Sequence, residues 1–331
     1  MTPRFAVTRT LPKPALSLLR AAGETWVSHR DRPLSRKELL DAVVGAEALL
    51  TLLYDRVDGE LLDAAGPNLR AVCNVAVGYD NVDVEAASER GVLVTNTPGV
   101  LTDATADLAM ALLLAATRRL GEGERLIRAK TPWRWDLDFM LGSGLQGRTL
   151  GIVGFGAIGQ ATARRARVFG MRIVYSARHD APAAVTRELR AGRRELDDLL
   201  AEADVVSLHC PLTVATRHLI DGRRLALMKP TAFLINTARG PIVDEAALAS
   251  ALDDGAVAGA GLDVFEQEPE VQAGLLSREN VVLAPHLGSA TTETRTEMAL
   301  LAARNAVAIA GGDSPLTPVN ADALQVGSAG A

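Results

Sequence analysis

The chain has 331 residues, 48% apolar and 23% charged, which is long enough and apolar enough for two globular domains with separate cores. A net charge of −5 argues against a nucleic-acid surface, and the longest apolar run, Leu108 to Ala116, is too short to span a bilayer. The N-terminus lacks the apolar segment of a secretion signal. Two cysteines, Cys73 and Cys210, give neither a disulfide framework nor a metal cluster, so a cytoplasmic enzyme with buried free thiols and no metal is expected. Only Lys13, Lys37, Lys130 and Lys229 are lysines among the 35 basic residues, so a role for any one arginine needs a motif behind it.

In chain order, Arg4–Thr8, Ala48–Leu53, Ala71–Val75 and Val92–Thr95 read as buried strands. Helix patterns separate them, among them Ser35 to Val44, where Glu38 stands three residues after a serine cap. Strands alternating with helices predict a parallel sheet covered on both faces. Asn96-Thr97-Pro98-Gly99 breaks the pattern. The next helix, from Asp103 to about Leu120, is apolar on most sides, which predicts burial between domains or against another subunit. Trp133, Arg134 and Trp135 form an aromatic cluster expected in the core or at an interface.

A second series follows: Thr149–Val153, Arg172–Tyr175, Asp204–Leu208, Ala232–Asn236, Gly259–Val264 and Val281–Ala284. Gly154-Phe155-Gly156-Ala157-Ile158-Gly159 comes directly after the first of these and opens a helix pattern from Gln160 to Phe169. Strand, glycine loop and helix in that order are the dinucleotide-binding arrangement. The first glycine permits the turn, the second lets backbone approach a pyrophosphate, the third lets helix pack on strand, and the helix N-terminus offers unpaired N–H groups to phosphates. Six parallel strands behind such a loop are expected of a doubly wound dinucleotide domain. A long helix from Thr291 to Ala310 and a small, polar, frayed tail from Ala321 to Ala331 close the chain.

Three strand ends of this series carry chemistry-bearing residues: Asn236-Thr237-Ala238-Arg239-Gly240, Asp263 through Glu268-Pro269, and Pro285-His286-Leu287-Gly288. Ligands of open α/β sheets bind at the carboxyl ends of strands, so arginine, carboxylate and histidine can converge there. Histidine exchanges protons near neutral pH, a neighbouring carboxylate favours imidazolium, and arginine grips a carboxylate through paired hydrogen bonds. Beside a nicotinamide, that set reduces a 2-keto acid.

These segments, with Val77-Gly78-Tyr79-Asp80-Asn81-Val82-Asp83, Asn96-Thr97-Pro98 and His209-Cys210-Pro211-Leu212, resemble the D-isomer-specific 2-hydroxyacid dehydrogenase family over nearly the whole chain. Within it, the sequence is most similar to the glyoxylate and hydroxypyruvate reductases. The resemblance implies two doubly wound parallel-sheet α/β domains. One is a flavodoxin-like substrate domain of residues 1–98 plus 290–331, the other a Rossmann cofactor domain of residues 99–289 inserted into it. Arg239 would bind the substrate carboxylate, His286 would be the acid–base residue, and Glu268 its charge partner. Val77 and Gly78 would hold the substrate carboxylate through backbone. Asp263 would meet the nicotinamide carboxamide, with Thr102, Cys210, Pro211, Thr216, Thr237, His286 and Gly288 along the cofactor and Gly154, Gly156, Ala157, Ile158 and Gly159 at its phosphates. The family's members are usually homodimers through the cofactor domain, which would suit the apolar helix after Asp103; the resemblance also implies that Trp133 or Trp135 would line the partner subunit's substrate pocket.

An NAD site places an acidic residue at the end of the second strand to hold the ribose hydroxyls. Here Tyr175-Ser176-Ala177-Arg178-His179 stands there instead, which favours NADP(H), with Ser176 and Arg178 on the 2′-phosphate. NAD(H) with Asp180 on the ribose is the alternative. Glyoxylate or hydroxypyruvate is the expected substrate. A D-3-phosphoglycerate dehydrogenase is a second enzyme reading, although the chain has no room for the regulatory domain many of those carry. A formate dehydrogenase is disfavoured by Glu268, and a cofactor-sensing corepressor is the non-enzymatic reading.

Overall fold

The computed structural model describes residues 2–30 and 32–322, so the predicted frayed tail lies, from residue 323 on, outside the described residues. The chain divides into two compact units, Met1–Leu101 with Thr291–Ala331, and Thr102–Ala290.

The first unit holds a five-stranded parallel sheet, β1 (Arg4–Val7), β2 (Glu24–Val27), β3 (Ala48–Thr51), β4 (Ala71–Asn74) and β5 (Leu93–Thr95), in the order β2-β1-β3-β4-β5. Ala6, Leu49, Val72 and Val94 lie in register across it and form one buried row with Leu39, Val43 and Leu61 of the helices Arg36–Val43 and Gly59–Ala65. Each of the larger side chains in that row contributes roughly 1.5–3 kcal/mol by leaving water. The helices Lys13–Ala22 and Thr292–Gly311 pack against each other, the latter also on β3 and β4. Edge strand β2 was not among the predicted strands, because only Val27 of Glu24-Thr25-Trp26-Val27 is fully buried and no apolar run marks it.

The second unit carries β6 (Thr149–Val153), β7 (Arg172–Ser176), β8 (Gly192–Arg193), β9 (Val205–Leu208), β10 (Phe233–Asn236), β11 (Gly259–Leu262) and β12 (Val281–Leu283). All are parallel, in the order β12-β11-β10-β9-β6-β7-β8. The sheet has seven strands rather than the expected six, since two-residue β8 has no apolar run to announce it. The strand order reverses between β6 and β9, and the crevice at their carboxyl ends is where such sheets bind ligands.

The helix Thr102–Thr117 ends before Arg119, which sits in the left-handed region at φ 53°, and a second helix, Leu120–Arg128, follows. Its apolar character is accounted for inside its own unit: Ala106, Ala109, Met110 and Leu113 are buried as the helix packs on β10, β11, β12 and the helix Ala157–Val168. The residues buried along the helix are thus covered by its own unit, where the same apolarity in sequence suggested the other domain or another subunit as cover. By contrast, the helix Leu120–Arg128 buries none of its residues, and Leu120, Ile127, Trp133, Trp135, Leu137 and Leu141 are all exposed. Trp133 stacks on Phe139 with ring centres 6.0 Å apart, and neither Trp133 nor Trp135 belongs to the core. Among the described residues, no helix is long and apolar enough to cross a membrane.

Candidate active site

Three strand ends meet at Gly154. Its φ of 92° is one that side chains rarely tolerate, and its N–H donates to the Ser176 carbonyl at the end of β7 over 2.9 Å. A Cβ on Gly154 would lie 2.4 Å from the Cys210 nitrogen, just beyond β9. A Cβ on Gly159 would lie 2.3 Å from the Gly154 carbonyl oxygen, so the helix Ala157–Val168 packs backbone to backbone on the loop. Gly156 differs, because a Cβ there would meet nothing within 4 Å. Gly156 is also the N-cap, with no side chain closing the first turn, so the amides at Ala157 and Ile158 face open space. This is a cradle that fits a dinucleotide pyrophosphate.

Beyond β7, Ser176 is half-buried and Arg178 exposed. Burial pushes the Cys210 thiol up to about 11, opposed by a backbone hydrogen bond and then by the charge of Arg178. Asp180 is exposed and paired with Arg193 of β8 at 2.7 Å, and Arg193 also donates to the Ala177 carbonyl. Arg193 was missed in the sequence because nothing distinguishes it from the other arginines. Across the crevice, Thr216 closes its own loop by donating to the Pro211 carbonyl at 2.7 Å while its Oγ accepts from the Thr213 N–H. Burial holds His209 down to about 4, so its ring is neutral at physiological pH, against Ser207 Oγ at 2.9 Å. Thr102 stands at the start of the helix Thr102–Thr117.

The turn after β10 is fixed by Asn236, whose Oδ1 accepts from the Ala238 N–H and whose Nδ2 donates to the Arg239 carbonyl. Gly240 leaves no space for a side chain, since a Cβ would fall 1.9 Å from the Phe265 carbonyl carbon. The turn bearing Arg239 is thus pressed onto the loop that follows β11. Among the described residues the Thr237 hydroxyl is buried without a protein partner, an acceptor and donor left for a bound group.

After β11, Asp263 is fully buried and its two carboxylate oxygens accept the N–H groups of Leu287 (2.6 Å) and Gly288 (2.8 Å). Burial pushes its carboxyl up, with those two bonds and the charge of His286 opposing. Asp263 thereby holds the turn carrying His286, which adopts φ 53° and donates its own N–H to the Asp263 carbonyl. His286 Nδ1 meets Glu268 Oε2 at 2.8 Å, while Glu268 Oε1 accepts from the Phe265 N–H. Burial alone would push Glu268 up. The hydrogen bond to His286, the charges of His286 and Arg239, and the Phe265 N–H outweigh it and hold the carboxyl below its ordinary range. Carboxylate, imidazole and guanidinium therefore act on one another electrostatically at adjacent strand ends.

In the first unit, Val77 and Gly78 follow β4, and both carbonyls are tied down: Asn96 Nδ2 donates to Val77 and Asn74 Nδ2 to Gly78. Asn81 Oδ1 braces Asn74, and the Thr97 N–H donates to the Ala76 carbonyl. Among the described residues neither the Val77 nor the Gly78 N–H has a protein acceptor, which suits an anion.

The sequence model of the D-isomer specific 2-hydroxyacid dehydrogenase NAD binding domain matches residues 110–288. The chain belongs to the D-isomer specific 2-hydroxyacid dehydrogenase family. A glyoxylate reductase of Thermococcus onnurineus is 50% identical over 330 residues, covering 98% of each chain. The solved glyoxylate reductase of Paecilomyes thermophila superposes with a TM-score of 0.86 at 36% identity, covering 96% of this chain and 98% of the other. The NADPH-dependent glyoxylate/hydroxypyruvate reductase of Sinorhizobium meliloti, solved with NADP and malonate, gives 0.83 at 36% identity, covering 96% and 97%. The present 2-hydroxyacid dehydrogenase is accordingly an oxidoreductase of CH–OH groups that uses a nicotinamide cofactor.

Proposed function

We propose that this dehydrogenase reduces glyoxylate or hydroxypyruvate with NADPH, giving glycolate or D-glycerate. The observation that carries the proposal is the His286 Nδ1–Glu268 Oε2 pair at 2.8 Å, with the Arg239 charge acting on the same carboxylate. Residues 99–289 are read as the cofactor domain, and residues 1–98 with 290–331 as the substrate domain. The bound nicotinamide supplies a hydride to the carbonyl carbon. His286, with Nδ1 engaged by Glu268, delivers a proton from Nε2 to the carbonyl oxygen. Glu268 keeps the ring oriented through its bond to Nδ1. Arg239 grips the substrate carboxylate and polarises the ketone. In the first unit, the Val77 and Gly78 N–H groups are suited to a substrate carboxylate.

Ser176 and Arg178 would hold the 2′-phosphate. The Asp180–Arg193 pair supports NADPH over NADH, because it already engages the nearest carboxylate that could serve a ribose. Gly154, Gly156, Ala157, Ile158 and Gly159 would hold the pyrophosphate. Thr102, Cys210, Pro211, Thr216, Thr237, Asp263 and Gly288 would lie along the rest of the cofactor. The exposed Trp133, Trp135, Leu137 and Leu141, with Leu120 and Ile127, support a homodimer through this unit. The two free thiols suit the cytoplasm.

The test is NADPH oxidation with each 2-keto acid, alongside His286→Ala. The expected result is turnover of both acids and a loss of roughly 10²–10⁴-fold in the variant with NADPH binding intact. No turnover of any small 2-keto acid sinks the proposal.

A further inference from the structure

One cluster of titratable groups in the second unit has no part in the chemistry above. Glu245 opens the helix Glu245–Asp253 and is buried. Its Oε1 accepts from the Glu266 N–H at 2.7 Å, and its own N–H donates back to Glu266 Oε2 at 3.4 Å. The other Glu266 oxygen, Oε1, meets His218 Nε2. His218 in turn sits at φ 48° and donates its N–H to the Pro241 carbonyl, two residues beyond Arg239.

The loop fastened in this way carries Glu268, two residues past Glu266. Its Phe265–Glu266 peptide is the group against which Gly240, and with it the Arg239 turn, is pressed. We infer that Glu245, Glu266 and His218 form a clasp that sets the position of Glu268 and, through it, the orientation of His286. They are positioning residues for proton transfer. The inference rests on the acid–base reading of His286 and Glu268.

A buried carboxylate is a costly way to fasten a loop. Burial pushes Glu245 up, the Glu266 N–H opposes it, and the charges of Glu266 and Glu268 push the same way as burial. A neutral side chain would hold a merely structural loop with less penalty. What the carboxylate adds is a strong, charge-assisted acceptor for the Glu266 N–H at 2.7 Å.

The experiment compares Glu245→Ala, Glu245→Gln, His218→Asn and His286→Ala with wild type as purified full chains, by kcat and by KM for NADPH in keto-acid reduction. Asparagine is chosen at 218 because it tolerates the left-handed conformation and is too short to reach Glu266. Glu245→Ala should lower kcat by roughly ten- to a hundred-fold, as expected for a displaced catalytic group, while KM for NADPH stays within about twofold. Glu245→Gln keeps an acceptor in place and should recover most of kcat, a rescue that separates positioning from a general loss of structure. His218→Asn should lower kcat by less, and it decides the matter if Glu245→Ala does not fold. Wild-type kcat in the folded clasp variants, with His286→Ala inactive, overturns the clasp alone. Full turnover by His286→Ala would remove the acid–base reading and this inference with it.

Discussion

Two glycines of one motif should fail in opposite ways when replaced by alanine. At Gly154 a side chain would have to adopt φ 92°, a conformation costing an L-residue roughly 1–2 kcal/mol or more. The new methyl would also lie 2.4 Å from the Cys210 nitrogen and 2.6 Å from the His209 carbonyl carbon. Both are backbone atoms, so no side-chain rotation relieves the overlap, and forcing β6 and β9 apart adds about 1–3 kcal/mol. Gly154→Ala should therefore lose roughly 2–5 kcal/mol, on the order of 10 °C in Tm for a unit of this size. Gly156 has φ −77° and open space where its Cβ would stand. Alanine there should leave stability within about 1 kcal/mol, since lost capping quality and reduced freedom of the unfolded chain offset each other. Its methyl would occupy the approach path to the helix amides, and NADPH should bind about tenfold or more weakly, near 1.4 kcal/mol. Thermal denaturation without cofactor, together with NADPH titration by fluorescence, separates the two effects. Equal losses of Tm in both variants, or a Gly154→Ala protein as stable as wild type, would refute the reasoning.

Arg178→Ala should raise the KM for NADPH at least tenfold while leaving NADH nearly unchanged, since a charge-assisted contact to phosphate contributes about 1.5–3 kcal/mol; equal weakening of both cofactors in parallel assays would return Arg178 to the exposed surface. Glu268, held below its ordinary range when folded, contributes stability above the unfolded carboxyl range and loses it as pH falls through the folded value. Urea midpoints measured from neutral to acid pH should thus fall more steeply for wild type than for Glu268→Gln, and parallel profiles would count against the pairing.

The strands of both sheets were legible because each is a short buried run in a parallel sheet, where both faces are covered and apolar residues follow one another. The exceptions have the same cause. Glu24–Val27 is an edge strand with one fully buried residue, and Gly192–Arg193 is too short to show a pattern. The apolar helix was legible as buried but not as to its cover, because periodicity reports how much of a helix is covered and never by what. Gly261, whose missing Cβ would lie 3.0 Å from Leu112 Cβ, shows the answer: the helix lies almost directly on β11. Motif order brought Arg239, Glu268 and His286 together on paper, and the His286–Glu268 bond now stands at 2.8 Å. The clasp residues escaped notice, since Glu245, Glu266 and His218 are far apart in sequence and each alone looks like a helix cap, a turn acid or a loop histidine.

Asp263 and Glu268 flank the same histidine with opposite consequences for folding. The folded Asp263 carboxyl is pushed up by burial, so ionised Asp263 opposes folding at neutral pH and the opposition lifts as pH falls through its raised value. Glu268 behaves in the reverse sense. A core selected for stability alone would place an apolar or neutral residue at 263. The carboxylate there accepts the Leu287 and Gly288 N–H groups at once, on two oxygens, and so fixes a turn in which His286 takes a left-handed conformation. An amide at that position has one acceptor and one donor, and the donor would confront an N–H. Stability is thus given up at Asp263 to fix the turn from which His286 reaches Glu268, and the electrostatic gain at Glu268 offsets part of the loss within the same few residues.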